Sequence, residues 1–263
     1  CALPISRQQQ LADLFQDLPE WLQYSDDGLY FGKGGWLSPA QLRESLFDSL
    51  TVQTAEVTGI VPCDGGWQMI INGEYSETYS DIIVATGAST LLPHPDRLPL
   101  SYIGGCVLQV AQSSTDTKVS SGTVSRFPVD NGLVTLGSTY QHVSSPTEYD
   151  PDTDLEQLTA NIRRMQLADE KALETGRPWH GTRLVSRDRR PLVGPMPDFD
   201  ELDNMTGPFR RQIRDRDIPV LPGLWLNLAF GSHGMTHAAF AAEYLVSRLL
   251  EEAVPLDQAT RRA

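Results

Sequence analysis

The sequence predicts a mixed α/β fold, and three observations carry that prediction. A short, continuous apolar strand, Ile82-Ile83-Val84, closes on Ala85-Thr86-Gly87, as a buried strand does when it ends at a ligand-facing turn. Gly223 to Phe230 is a second apolar strand, and Gly231-Ser232-His233-Gly234 carries it into a helix running to about Glu252. Between them, Ser101 to His142 alternates β-rich runs with Gly104-Gly105, Ser120 to Gly122 and Asp130-Asn131-Gly132, the pattern of antiparallel strands joined by hairpins.

The other elements follow in chain order. Arg7 to Leu18 is a polar helical stretch, and Gly28 to Trp36 reads as a strand and then a turn. Ser38 at N-cap and Pro39 at N1 start a helix that takes in Gln41 to Leu50. Thr51 to Val61 is rich in β-branched residues, Trp67 to Ile71 alternates, and Asn72-Gly73 signals a tight hairpin into Tyr75 to Tyr79, so a meander is expected. Asp150 to Glu174 predicts one helix with Leu155, Leu158, Ile162, Met165 and Leu167 along its apolar face. In the last helix Met235, Ala239, Ala242, Val246 and Leu249 are the expected packing positions.

A chain of 263 residues, 40% hydrophobic, can bury a core as one large domain or two interleaved ones. Its net charge of -13 excludes a surface that attracts anions everywhere, so any nucleic-acid contact must be local. Nine of the arginines lie between Arg177 and Arg216 against six acidic residues, which makes that window about +3. Phosphate contacts would concentrate there; a salt-bridged loop around Phe209 to Asp217 accounts for the same count equally well. No apolar run approaches the roughly 18 residues of a membrane span, and the cytosol is the expected compartment. Cys1, Cys63 and Cys106 have no CxxC spacing, which points to reduced thiols. His233 and His237 are four apart but lack a third ligand at a companion position, so no metal is expected. The chain opens on Cys1, without a starting strand, and is expected to be a fragment of a longer protein.

Two stretches could carry chemistry. The first turn of the helix after Gly231 offers unpaired N–H groups and partial positive charge to an anion, and Gly231 and Gly234 allow close approach of a ligand. Taken alone, such a junction is more often a structural turn, and its spacing is not GxGxxG, which occurs nowhere in the chain. Upstream, Gly181 to Asp188 is an Arg-dense loop before the strand-like Pro191 to Pro195; an arginine fork there would hold a carboxylate bidentately. The alternative is a solvated loop paired with Asp188.

The runs GGWLSP at Gly34 to Pro39, DIIVATG at Asp81 to Gly87, GTRLVSRDRRPLVGPMPD at Gly181 to Asp198 and GLWLNLAFGSHGMTHAAFAAEYL at Gly223 to Leu245 resemble the D-amino-acid-oxidase-like flavoproteins. More narrowly they resemble the FAD-dependent C-terminal half of the tRNA 5-methylaminomethyl-2-thiouridine biosynthesis bifunctional family, from about Asp13 to Arg262. The resemblance implies a discontinuous, truncated, FAD-binding Rossmann-like domain with an antiparallel-sheet substrate domain interleaved. Residues 37–95 and 181–263 would belong to the FAD-binding part, and 1–36 and 96–180 to the substrate domain. It implies that a methyltransferase domain, which would use S-adenosylmethionine, and the glycine fingerprint precede the segments seen here. Val57 would lie on the adenine side, Ala85-Thr86-Gly87 at the cofactor turn, and Gly231, Ser232, His233, Gly234 and Met235 beneath the flavin. Arg183 matches the arginine that holds the substrate carboxylate, whereas the chain departs at His233, where the tRNA-modifying relatives carry Arg. The implied substrate is a tRNA wobble uridine bearing a carboxymethylaminomethyl arm. Oxidation of its methylene gives an imine that water cleaves to aminomethyl-uridine and glyoxylate. Arg210, Arg211 and Arg214 are the candidate RNA contacts; a free glycine- or sarcosine-type oxidase and a non-catalytic remnant are the alternatives.

Overall fold

The computed structural model describes residues 20–25, 28–89, 91–112, 118–130, 132–205 and 217–256. The helix expected from Arg7 to Leu18 lies outside them, as do Arg210, Arg211 and Arg214. The chain begins with β1 (Leu22–Ser25), β2 (Gly28–Phe31), α1 (Pro39–Phe47), β3 (Val57–Cys63), β4 (Gly66–Ile71), β5 (Glu74–Tyr75) and β6 (Ile82–Val84). The middle holds β7 (Leu100–Ala111), β8 (Ser125–Asp130), β9 (Leu133–Gly137), β10 (Gln141–Val143), α2 (Pro151–Arg164), α3 (Glu170–Glu174) and β11 (Arg177–Ser186). It ends with β12 (Leu192–Pro197), α4 (Phe199–Asn204), β13 (Val220–Leu228) and α5 (Gly234–Leu249). These elements form two compact units, one from residues 1–52, 104–141 and 150–181, the other from 53–103, 142–149 and 182–263.

In the first unit, β7, β9 and β8 are antiparallel neighbours, and β11 also pairs with β7. The two-residue period of a strand puts Leu108 opposite Leu136 and Val110 opposite Val134, all on one face. Leu158 and Ile162, one helical turn apart on α2, close that face into a core with Cys106, Val124 and Leu173. Asp150 caps α2, accepting from the N–H groups of Asp152 at 3.1 Å and Thr153 at 3.3 Å, with Pro151 at N1. Buried Asp154 accepts from Thr139 Oγ1 at 2.6 Å, and that hydroxyl oxygen accepts from Cys106 N at 2.7 Å.

The single helix expected from Asp150 to Glu174 is broken. Met165 ends α2, Gln166 turns to φ 54°, and Asp169 starts α3 by accepting from Ala172 N at 2.7 Å. A local side-chain cap thus outcompetes helix continuation, and Met165 is exposed instead of joining the apolar face. Gly104-Gly105 is no hairpin either: both glycines lie buried inside the 12-residue β7. Helix α1 forms where Ser38-Pro39 predicts it, but the Ser38 side chain makes no capping bond.

The second unit holds the meander β3-β4-β5 and the sheet β12-β13-β6. The β-branched run at Thr51 does not pair until Val57. Asn72 and Gly73 take φ 52° and 87°, the two left-handed positions of the tight hairpin they predict, and Ile71 pairs with Glu74 across it. Trp67 is buried, and its Nε1 donates to the Pro222 carbonyl at 2.7 Å, joining the meander to β13. Ile82, Val84, Leu184, Met196, Phe199, Leu224, Leu226 and Leu228 complete the core. Helix α5 lies against β12 and β13 through Ala241 and Leu245, not through the expected Met235 and Val246, which are 54% and 43% exposed. Apolar residues surround this helix, so periodicity alone could not choose its buried face. No helix among the described residues is long and apolar enough to cross a membrane.

Candidate functional site

The second unit brings together sequence segments that are far apart. Strand β13 runs parallel to β6, with Leu224, Trp225 and Leu226 level with Ile82, Ile83 and Val84. Trp225 Nε1 fixes the entry to β6 by donating to Asp81 Oδ1 at 2.9 Å. Parallel strands release their following turns at one edge, so Ala85-Thr86-Gly87 and the segment from Ala229 to Gly234 emerge side by side. In open α/β sheets that carboxyl edge is where ligands bind.

Each turn is internally fixed. Thr86 Oγ1 donates to the Ser89 carbonyl at 3.0 Å, and Gly87 takes φ 64° with nothing within 4 Å of where a Cβ would stand. In the other turn Ala229 is left-handed at φ 63°, and Phe230 bridges Val185. Gly231 N donates to the Leu184 carbonyl at 3.1 Å. Gly231 has φ 55°, and a Cβ there would stand 2.9 Å from Val185 Cγ1, so both conformation and space call for glycine.

Arg183 is the residue before Leu184, whose carbonyl accepts from Gly231. Its side chain is half-buried and Nη1 is enclosed. His233 is the N-cap of α5, yet its exposed side chain caps nothing; its carbonyl accepts from Thr236 N, Thr236 Oγ1 and His237 N. No acidic residue stands in the first turn of α5. The first N–H groups and the helix dipole therefore face the turn with neither a side-chain cap nor a first-turn acid to compensate them. Ser232 and Met235 are exposed beside them, and Gly234 is half-buried.

Three other features noted in the sequence are placed as follows. Val57 opens β3 of the meander, not the sheet bearing the two turns. The His233 and His237 rings meet edge to face, 5.8 Å between centroids, and among the described residues no group of three or more His, Cys, Asp or Glu could hold a metal. Asp188 accepts from Ser186 Oγ at 2.8 Å and from Arg190 N at 3.1 Å, so the turn is tied by its backbone and a serine, and among the described residues Asp188 makes no ion pair with an arginine. The Ser186 hydroxyl holds the Asp188 carboxyl below the usual carboxylate range, aided by the Arg190 N–H.

Asn227 was not anticipated. It follows Leu226, the last residue of β13 paired with β6, and its Oδ1 is enclosed with no hydrogen-bond partner among the described residues. Its signal was a lone polar residue in the apolar strand GLWLNLAF. A buried acceptor left unmatched is costly, which suits an atom that a ligand completes.

The family profile described as FAD dependent oxidoreductase matches residues 3–248. The tRNA 5-methylaminomethyl-2-thiouridine biosynthesis bifunctional protein of Shewanella pealeana is 28% identical over 259 residues, 90% of this chain and 40% of that protein. The Vibrio vulnificus protein of the same name is 27% identical over 248 residues, 87% of this chain and 37% of its own length. The chain thus spans about two fifths of the length of the curated relatives it matches. Among solved structures, NikD, an unusual amino acid oxidase essential for nikkomycin biosynthesis, superposes with a TM-score of 0.63 at 15% identity, over 97% of this chain and 71% of that one. Glycine oxidase from Bacillus cereus gives 0.59 at 15% identity, over 94% and 65%. Iminodiacetate oxidase from a Chelativorans species gives 0.57 at 18%, over 85% and 56%. These last three likenesses speak to the fold.

Proposed function

The chain belongs to the FAD dependent oxidoreductase family, and from that premise we propose that it serves the oxidative removal of the carboxymethyl group from a carboxymethylaminomethyl-uridine at the tRNA wobble position, in the cytosol. What supports this reading is the backbone bond from Gly231 to Leu184, which ties the strand carrying Arg183, whose Nη1 is enclosed, to the turn that opens α5. A glycine-like arm ends in a carboxylate, and a planar guanidinium is the side chain that grips a carboxylate at two points.

The residues suit the family's cofactor. The orphaned Asn227 Oδ1, the open space over Gly87 and the start of α5, which has no side-chain cap and no acid in its first turn, are a buried acceptor, room and N–H donors at one sheet edge. Ala85, Thr86, Gly87, Gly231, Ser232, His233, Gly234 and Met235 would hold FAD there, with Val57 toward the adenine. When bound, FAD supplies the two-electron oxidation. Arg183 holds the arm's carboxylate and so aims the methylene at the Gly231 to Met235 turn. The positive end of α5 favours negative charge at that turn. No side chain acts as a nucleophile. Segments 37–95 and 181–263 are assigned to cofactor binding, 1–36 and 96–180 to the substrate side, and Arg210, Arg211 and Arg214 to tRNA phosphates.

The test is substrate choice by the full-length, FAD-loaded enzyme. With tRNA bearing the arm, glyoxylate and aminomethyl-uridine should appear, and free glycine and sarcosine should turn over far more slowly. Faster oxidation of the free amino acids would make the protein an amino-acid oxidase, and oxidation of neither would leave a binding remnant.

A further inference from the structure

We propose that the turn Ser186–Arg190 is a preformed docking point for the phosphate backbone of RNA, an inference that rests on the tRNA reading above. Arg187, Arg189 and Arg190 put three guanidinium groups within four residues, all exposed. Among the described residues none of the three makes an ion pair. The carboxylate between them, Asp188, is occupied by the Ser186 hydroxyl at 2.8 Å and by the Arg190 N–H at 3.1 Å.

The backbone under these arginines is fixed. Ser186 is 2% exposed, and its Oγ stands 2.6 Å from the Arg190 carbonyl as well as 2.8 Å from Asp188, one proton serving both ends of the turn. Arg187 N donates to the Pro99 carbonyl at 2.8 Å and Arg189 N to the Ser186 carbonyl at 3.1 Å. Arg189 stands at φ 63°, a conformation that strains any residue with a Cβ and that glycine adopts freely. A long cationic side chain is therefore carried at a position where backbone geometry favours none.

Three cations on a rigid turn suit a ligand with several anionic groups in a row, because little ordering entropy is lost on binding and guanidinium matches phosphate oxygens in pairs. In a chain of net charge -13, such a contact must be local. The turn is also close in the chain: Arg187 is four residues beyond Arg183, one step past the end of β11, so the two backbones are no more than about 13 Å apart at the rise of a strand. A nucleotide whose arm is held at Arg183 would have its neighbouring phosphates within reach of these side chains.

The experiment measures binding of fluorescently labelled tRNA to the chain across a KCl series. The comparison set is wild type, the triple variant Arg187→Gln, Arg189→Gln, Arg190→Gln, and the single variant Arg189→Gly. The triple variant should bind more weakly, and its slope of log affinity against log salt should be shallower by roughly 2 to 3 units, three contacts at about 0.7 to 0.9 each. Arg189→Gly relieves the backbone strain while removing one charge, so its thermal midpoint should hold or rise as its tRNA affinity falls. Wild-type tRNA binding with unchanged affinity and slope in the triple variant would overturn the proposal and leave the tRNA reading standing. Absence of wild-type tRNA binding at low salt would overturn both. Equal wild-type affinity for poly-glutamate would also overturn it, since a general polyanion patch is not an RNA contact.

Discussion

Arginine and lysine carry the same charge but not the same shape, and Arg183 is where that difference should be measurable. Lysine is a point charge that cannot reproduce the two-point grip, so in the full-length, FAD-loaded enzyme Arg183→Lys should raise KM for the carboxymethylamino substrate and lower turnover while flavin content stays constant. Wild-type rates would remove Arg183 from the carboxylate site. Cys106 gives a second test at this scale. Its side chain is 1% exposed, and burial pushes its thiol up to about 11. Near pH 8 it should therefore stay almost wholly protonated and resist a thiol-titrating disulfide until the chain unfolds. Reaction of Cys106 in the native state, located by peptide mapping, would contradict the buried position given to it.

Among the elements, the junction of β13 with α5 depends on one residue. A side chain at Gly231 meets both a left-handed φ of 55° and Val185 Cγ1 at 2.9 Å. Gly231→Ala should lower unfolding stability by about 1–2 kcal/mol, read by urea denaturation, and shift the start of α5. An unchanged midpoint would show that the turn relaxes at no cost. The β4–β5 hairpin was legible because Asn72-Gly73 imposes its turn locally, and α1 because Ser38-Pro39 marks a start. Misreadings arose where local signals competed or were silent. The Asp169 cap split the helix expected to run to Glu174, and Gly104-Gly105 serves the inside of a strand.

For the whole chain, composition and charge set the expectations. GxGxxG is nowhere in the 263 residues, and the backbone donors of such a loop are what ordinarily hold a dinucleotide pyrophosphate. This chain alone should therefore purify colourless; stoichiometric yellow flavin retained after desalting would show that its own turns suffice. In the full-length enzyme, replacing Arg210, Arg211 and Arg214 by Gln should weaken tRNA binding and flatten its salt dependence by roughly 0.7 to 0.9 per lost phosphate contact. Oxidation of a free nucleoside carrying the same arm should be spared. Unchanged affinity and slope would make that cluster a structural loop.

The amino-acid order alone determined the mixed α/β class, the apolar strand before Ala85, the glycine-bearing start of α5 and the arginine-rich window, because each is written within a few neighbouring residues. Family resemblance singled out Arg183 among nine arginines of that window. Only the tertiary structure decided that β13 lies parallel to β6, tied by Trp225 and Asp81 from 144 residues apart, so that two distant turns share one edge. It also decided that Ser186 locks the arginine turn and that Asn227 Oδ1 is buried without a partner among the described residues. Pairing, enclosure and hydrogen-bond satisfaction depend on which distant atoms arrive, and short-range pattern carries no record of that.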